Sequence, residues 1–282
     1  MIVSKITGGL GNQFFQYAAA KSLAIKHNVG IGIDATFIKG DYREGHFRRK
    51  FKLHKFKADF QEIPIKKIRE YIWVTGNRFI NIYIINKFHF FEKNVFRDSN
   101  PIKEFNSQSG NVCLLGCFVN PLYFKGLKKT LQKDFELKEK GNIEEILRGT
   151  KKCDSVSMHV RRGDLLKLKN AYIIPENYYK NAIDIISGEI KNPKFYVFSD
   201  DINWCKENFK YLKNVVFVEG NDVSEDFEIM KNCKHNILSN STLSWWVGYL
   251  NSNRNPIIIA PKHFNIFSHL NSLTRLKDWI II

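Results

Sequence analysis

The chain has 282 residues, enough for one large domain or two of ordinary size, and 44% of them are hydrophobic. It carries 44 Lys and Arg against 28 Asp and Glu, a net charge of +16, which favours phosphorylated small molecules, polyanions or anionic lipid surfaces, or reflects solvated surface charge alone. No uncharged apolar run reaches about 18 residues, so no spanning helix is expected, and the five cysteines have no zinc-ligand spacing.

The chain opens as strand, glycine loop and helix. Ile2 to Ile6 alternates as a strand, Gly8 to Gly11 forms the loop, and Asn12 to His27 carries an apolar face with Phe15, Ala18, Ala19 and Leu23. Asn28 and Gly30 end that helix, and Ile31 to Asp34 is a second strand. A strand at the very start leaves no signal peptide, and five unpaired cysteines suit a reducing compartment, so a cytoplasmic protein is expected, peripheral to an inner membrane at most. Residues 39 to 105 mix basic and aromatic residues and read as either strands or amphipathic helices. Val112 to Phe118 is predicted as a buried strand and Pro121 to Leu147 as helix.

A second α/β unit starts near Cys153. Strands are predicted at 155–161, 195–198, 215–218, 235–238 and 257–260, with helices from Pro175, Ile202, Ser224 and Leu243 between them. Alternation of this kind implies a parallel sheet with ligands outside the carboxyl ends of its strands. The division is expected near residue 150, between 1–150 and 151–282.

Polar clusters follow three of those strands. His159-Val160-Arg161-Arg162-Gly163-Asp164 ends the first. Strand alternation puts His159 and Arg161 on one face, and Arg162 on the other, where a structural salt bridge is as reasonable as a ligand contact. A guanidinium donates in pairs and keeps its proton, so Arg161 suits a phosphate leaving group without a metal. Ser199, Asp200 and Asp201 end the second strand, and either aspartate is a candidate cap for the helix at Ile202. Ser239, Asn240, Ser241 and Thr242 join a strand to a helix, where N–H and hydroxyl donors make an anion site or merely a helix cap. Trp245 and Trp246 read as core. The glycine loop lacks both GxGxxG spacing and a P-loop lysine, so neither a dinucleotide nor a P-loop nucleotide is expected there.

Together, Gly8-Gly9-Leu10-Gly11-Asn12-Gln13-Phe14-Phe15-Gln16-Tyr17-Ala18, His159 to Asp164, Phe198 to Asp201, and Ser239 to Trp246 resemble the bacterial α-1,2-fucosyltransferases of glycosyltransferase family 11. Ile259-Ala260-Pro261-Lys262 is a weaker fifth block, and the order runs through nearly the whole chain. The resemblance implies a GT-B-like fold, two Rossmann-like domains facing across a cleft, the first on the acceptor side. It implies a galactoside 2-α-L-fucosyltransferase that moves L-fucose from GDP-β-L-fucose to O-2 of a galactose-terminated oligosaccharide or lipid-linked glycan, with inversion and no cofactor or metal. It places Arg161, Asp164 and Asn12 at the chemistry. Gly11, Gln13, His159, Arg162, Ser199, Asp200, Asp201 and Ser239 to Thr242 would bind donor, one aspartate accepting from guanine. Asp164 is the nearest candidate base, with His46 and Asp41 in reserve. Leu165 stands where the family usually has tyrosine, so 165–171 is a poor guide to the acceptor. Two other readings remain at this stage: a fucosyltransferase of another linkage, and a basic RNA-binding protein, for which no nucleic-acid motif is present.

Overall fold

The computed structural model describes residues 1–40, 49–68, 70–71, 94–163, 165–167, 169, 171–263 and 275–282. Residues 41–48, 69 and 72–93 of the basic and aromatic stretch therefore lie outside the described residues, as does Asp164, and with them His46 and Asp41. The chain forms two compact units, Met1–His54 with Ala58–Thr130, and Lys55–Lys57 with Leu131–Ile282.

Unit one is built on a parallel sheet of β1 (Ile2–Lys5), β2 (Ile31–Asp34), β3 (Gln61–Glu62), β4 (Val95–Arg97) and β5 (Val112–Leu115), in the order β3-β2-β1-β5-β4. Ile2 pairs with both Ile31 and Val112, so β1 is central, and Ile2 and Val3 are fully buried. A helix over Leu10–His27 connects β1 to β2. It begins two residues earlier than its apolar pattern predicts, with Gly9 as cap, and so takes Gly11 into its first turn. Gly8 makes this entry possible: its φ is +73°, and a Cβ there would sit 2.6 Å from the Asn12 side-chain amide. Phe14, Phe15, Tyr17, Ala18 and Ala19 are all fully buried, and left-handed Asn28 closes the helix after Lys26 and His27, whose charges suit its C-terminus.

Unit two is a second parallel sheet: β6 (Ser155–Val160), β7 (Lys194–Ser199), β8 (Val215–Phe217), β9 (His235–Ile237), β10 (Ile258–Ala260) and β11 (Ile280–Ile281), in the order β11-β10-β9-β6-β7-β8. Helices Glu176–Glu189, Ile202–Asn208, Val223–Asn232 and Thr242–Leu250 fall between its strands in sequence. Every residue of β6 is buried, because neighbouring strands flank it on both edges and apolar residues such as Ala182, Ile186 and Phe209 pack with its side chains. From β6 the chain builds β7 and β8 on one side, then returns to build β9, β10 and β11 on the other. The order thus reverses between β6 and β9.

The division falls between Thr130 and Leu131, about twenty residues before the expected position near 150. The cause is apolar packing. Leu131, Phe135 and Leu137 are buried in unit two, and the Phe135 ring meets Trp246 edge-on at 5.2 Å. Phe56, also fully buried, pairs with Leu137 in an antiparallel bridge and packs on Phe227 at 5.9 Å. That bridge breaks the helix expected over 121–147, leaving helices at Lys128–Asp134 and Glu144–Lys151. Glu228, 1% exposed, accepts from the Leu137 N–H at 3.2 Å and from Lys231 Nζ at 2.8 Å, so its charge is compensated inside the unit.

Candidate functional site

In unit two the polar clusters converge outside the carboxyl ends of β6, β7 and β9. Open α/β sheets bind ligands where the strand order reverses, since the connecting chains part there and leave a crevice. Here the reversal lies between β6, which leads to His159 and Arg161, and β9, which leads to Ser239 to Thr242.

His159 Nδ1 lies 3.1 Å from Ser239 Oγ, which joins the two strand ends directly. Burial, reinforced by the neighbouring Arg161 charge and opposed by Asp200, lowers the His159 pKa to about 4. The ring is therefore neutral near pH 7 and exchanges a hydrogen bond with Ser239 rather than carrying charge. Ser239 is fully buried, and its N–H donates to Ser244 Oγ at 2.8 Å.

Ser241 caps the helix Thr242–Leu250, its Oγ accepting from Ser244 N–H at 3.1 Å, while Trp245 N–H donates to Ser241 O. The N–H groups of Thr242 and Leu243 have no protein acceptor among the described residues. A helix start with two such donors attracts an anion. The cap and the anion site are thus compatible, with Ser241 in the first role. Asn240 is turned away: its Nδ2 donates to Tyr172 O at 2.7 Å. Trp245 and Trp246 are fully buried, as their reading as core requires.

The loop after β6 is held by Asp200. Its Oδ1 accepts from Arg162 N–H at 2.8 Å and Gly163 N–H at 2.9 Å, and its Oδ2 lies 3.7 Å from Arg161 Nε. Burial alone would raise this carboxyl's pKa; the two N–H donors and then Arg161 outweigh it and hold the value below the usual range. Gly163 permits the close approach, since a Cβ there would stand 2.8 Å from the Asp200 carbonyl oxygen.

Arg162 has partners of the kind the structural alternative calls for. Its guanidinium lies 4.0 Å from the centroid of the Trp204 ring, and its Nε is 3.4 Å from Asp201 Oδ2. Asp201 occupies the N-cap position of the helix at Ile202 yet makes no side-chain cap, so neither aspartate caps that helix. Ser199 Oγ accepts the Asp201 N–H at 2.9 Å.

In unit one, Gln13, expected at the donor, has its amide engaged within its own unit. It is fully buried and its amide is engaged at both ends. Nε2 donates to Gly8 O at 3.2 Å and Lys50 O at 2.9 Å, while Oε1 accepts from Lys52 N–H at 3.0 Å. The reason is position: Gln13 is the fourth residue of a helix buried on several sides, where a polar amide must find partners within the unit. Asn12, whose N–H donates to Gly9 O at 3.0 Å, is the third residue of its helix rather than its cap. Gly11 is buried in the first turn.

Three contributors escaped the sequence reading. Trp204 fixes Arg162. Tyr172 packs its ring against His263 at 5.4 Å. Tyr178, whose hydroxyl donates to Leu238 O at 2.6 Å and Ile259 O at 3.2 Å, ties the ends of β9 and β10. Only Tyr178 left a trace in the sequence, as a polar-tipped aromatic on an apolar helix face. Among the described residues, no group of three or more His, Cys, Asp or Glu is placed to hold a metal, and no helix is long and apolar enough to cross a membrane.

The model for glycosyl transferase family 11 matches residues 1–282. An alpha-1,2-colitosyltransferase of Escherichia coli is 32% identical over 303 residues, spanning 100% of this chain and 99% of that protein. Galactoside alpha-(1,2)-fucosyltransferase 2 of Rattus norvegicus is 27% identical over 143 residues, 45% of this chain and 40% of its own length. Among solved structures, NodZ alpha-1,6-fucosyltransferase soaked with GDP-fucose superposes with a TM-score of 0.52 at 14% identity, over 88% of this chain and 91% of that one. That likeness extends to the fold, GT-B-like with two Rossmann-like units, as expected from the sequence.

Proposed function

The chain belongs to glycosyl transferase family 11, and from that membership we propose that it moves a 6-deoxy-L-sugar from a GDP-linked donor to O-2 of a galactose-terminated glycan. The donor sugar is L-fucose or its 3-deoxy analogue colitose; relatives named for each are among the similar proteins. The reaction inverts the anomeric centre and needs no metal or other cofactor.

One observation supports this reading best. A cation and a helix N-terminus stand on the two strands that flank the topological reversal, Arg161 just after β6, beside His159 near its end, and Thr242–Leu250 after β9. As the sugar–phosphate bond breaks, charge grows on the β-phosphate. Arg161 and the first-turn N–H groups would meet that charge, stabilising the transition state more than the ground state. Neutral His159 would add a hydrogen bond without competing for the anion. Asp200 keeps Arg161 and the loop in place, so it acts chiefly by positioning, and Asp201 is the remaining candidate to accept from guanine. In this reading unit one is the acceptor side, Asn12 is a candidate contact to the sugar, and Asp164 is the candidate base for the attacking 2-hydroxyl. The net charge of +16 would help gather a GDP-sugar and, with a lipid-linked acceptor, hold the enzyme at an anionic leaflet from the cytoplasmic side.

The test is transfer from GDP-fucose and from GDP-colitose to a galactoside, with EDTA present, the product linkage read by NMR. An α-1,2 product in EDTA supports the reading. A different linkage, chelator-sensitive turnover, or no transfer to any galactoside would refute it in the corresponding part.

A further inference from the structure

Unit one holds a cavity of about 750 Å³ that the reading above does not use. It is lined by Glu62 at the carboxyl end of β3 and by Lys39, Arg49, Lys50, Phe51 and His54. Its volume is that of a small-molecule site. Among the described residues the lining carries three permanent cations against one carboxylate, and that carboxylate is paired with Lys39 at 2.6 Å. The excess is not local to the lining: residues 39–62 hold eight Lys and Arg against four Asp and Glu.

The wall of the cavity is built rather than draped. Gln13 grips it from beneath, through Lys50 O and Lys52 N–H, and so fixes the backbone that carries Lys50 and Phe51. Phe51 is 7% exposed, packed edge-on against Phe60 at 6.1 Å and lying under Lys39 Nζ at 5.4 Å. A surface loop that merely displays charge has no need of a fully buried amide strut. Fixing the backbone beneath Lys50 before binding removes the part of the ordering cost that a mobile loop would otherwise impose. The covered Phe51 ring offers no platform for a base to stack on, which argues against a nucleic-acid groove. A concave site also selects one discrete group over a flat lipid surface.

We propose that this cavity recognises an anionic group of the acceptor glycan, a carboxylate or a phosphate. The proposal rests on the reading of unit one as the acceptor side. It makes Lys50 a determinant of acceptor choice, and Gln13 a positioning residue for the acceptor rather than a donor contact.

The experiment uses the full chain, a GDP-sugar donor and three matched acceptors: a neutral galactoside, the same galactoside joined to a uronic acid, and the same galactoside on a diphosphate aglycone. One anionic acceptor should exceed the neutral one about tenfold in kcat/KM, with the advantage shrinking as salt rises and screens the pair. Which of the two leads assigns carboxylate or phosphate. Lys50→Glu should abolish the preference, mainly through KM, and Lys50→Gln should reduce it. Equal use of all three acceptors, or a preference that survives Lys50→Glu, overturns this inference while leaving the transferase reading intact. No transfer to any acceptor overturns both.

Discussion

Replacing Arg161 with alanine separates a catalytic cation from a structural one. Its visible ion pair with Asp200 is long, 3.7 Å, between side chains 23% and 34% exposed. A pair so placed contributes about 0–1 kcal/mol to stability. If Arg161 instead meets the charge that develops on the departing diphosphate, its loss raises the barrier by about 2.7–4 kcal/mol, a fall of roughly 10²–10³ in kcat. The two magnitudes differ enough to be read apart. Arg161→Ala should therefore unfold in urea within about 1 kcal/mol of the parent while GDP release falls by at least about a hundredfold. Arg161→Lys, which keeps charge but loses the planar fork, should fall between them. His159 supplies an internal check, because removing the neighbouring cation should raise its pKa from about 4 as followed by NMR. Turnover within tenfold of the parent would refute the catalytic role. So would a stability loss of about 3 kcal/mol or more that accounts for the lost activity.

The remaining predictions test the supports of the site. His159 has a folded pKa depressed from 6.5 to about 4, so the unfolded chain binds its proton first, and stability should be lost as pH falls from about 6.5 toward 4. The full difference is worth about 3 kcal/mol, and His159→Asn should flatten that part of the urea-midpoint profile; an unchanged profile would contradict a buried neutral ring. Gln13→Ala strands Lys52 N–H and two carbonyls, so it should cost about 2–4 kcal/mol in urea unfolding and raise acceptor KM more than donor KM. A larger effect on donor KM would return Gln13 to the donor. Trp204→Ala removes the ring beneath Arg162 and its edge contact with Phe209 at 5.6 Å, and should cost about 1–3 kcal/mol of stability. GDP affinity by calorimetry should then stay within about threefold, and a large loss would make Arg162 a ligand contact.

Local chemistry already carried much of this in the chain. Residues Ile2 to Lys5, Ile31 to Asp34 and strands β6 to β10 form where apolar alternation and flanking glycine, proline and acidic residues place them. The alternation also put His159 beside Arg161, and the run Ser239 to Thr242 at a helix start, because both signals depend on neighbours within a few residues. The two-residue β3 and β11, with exposed or half-exposed side chains, left no such signal.

Sequence alone determined an α/β chain, a parallel sheet in its second half and the polar clusters at the strand ends, since period and turn chemistry are written residue by residue, while the two-domain arrangement was legible only through the family blocks. Tertiary structure alone decided that β6 and β9 are neighbours and that Phe56 and Leu137 share one core. It decided too that Asp200 clamps a loop, that Arg162 rests on Trp204 and that Gln13 faces inward. Each of these depends on contacts between residues 37 to 81 positions apart or on which face of an element is covered, and packing settles those only once the whole chain has closed around them.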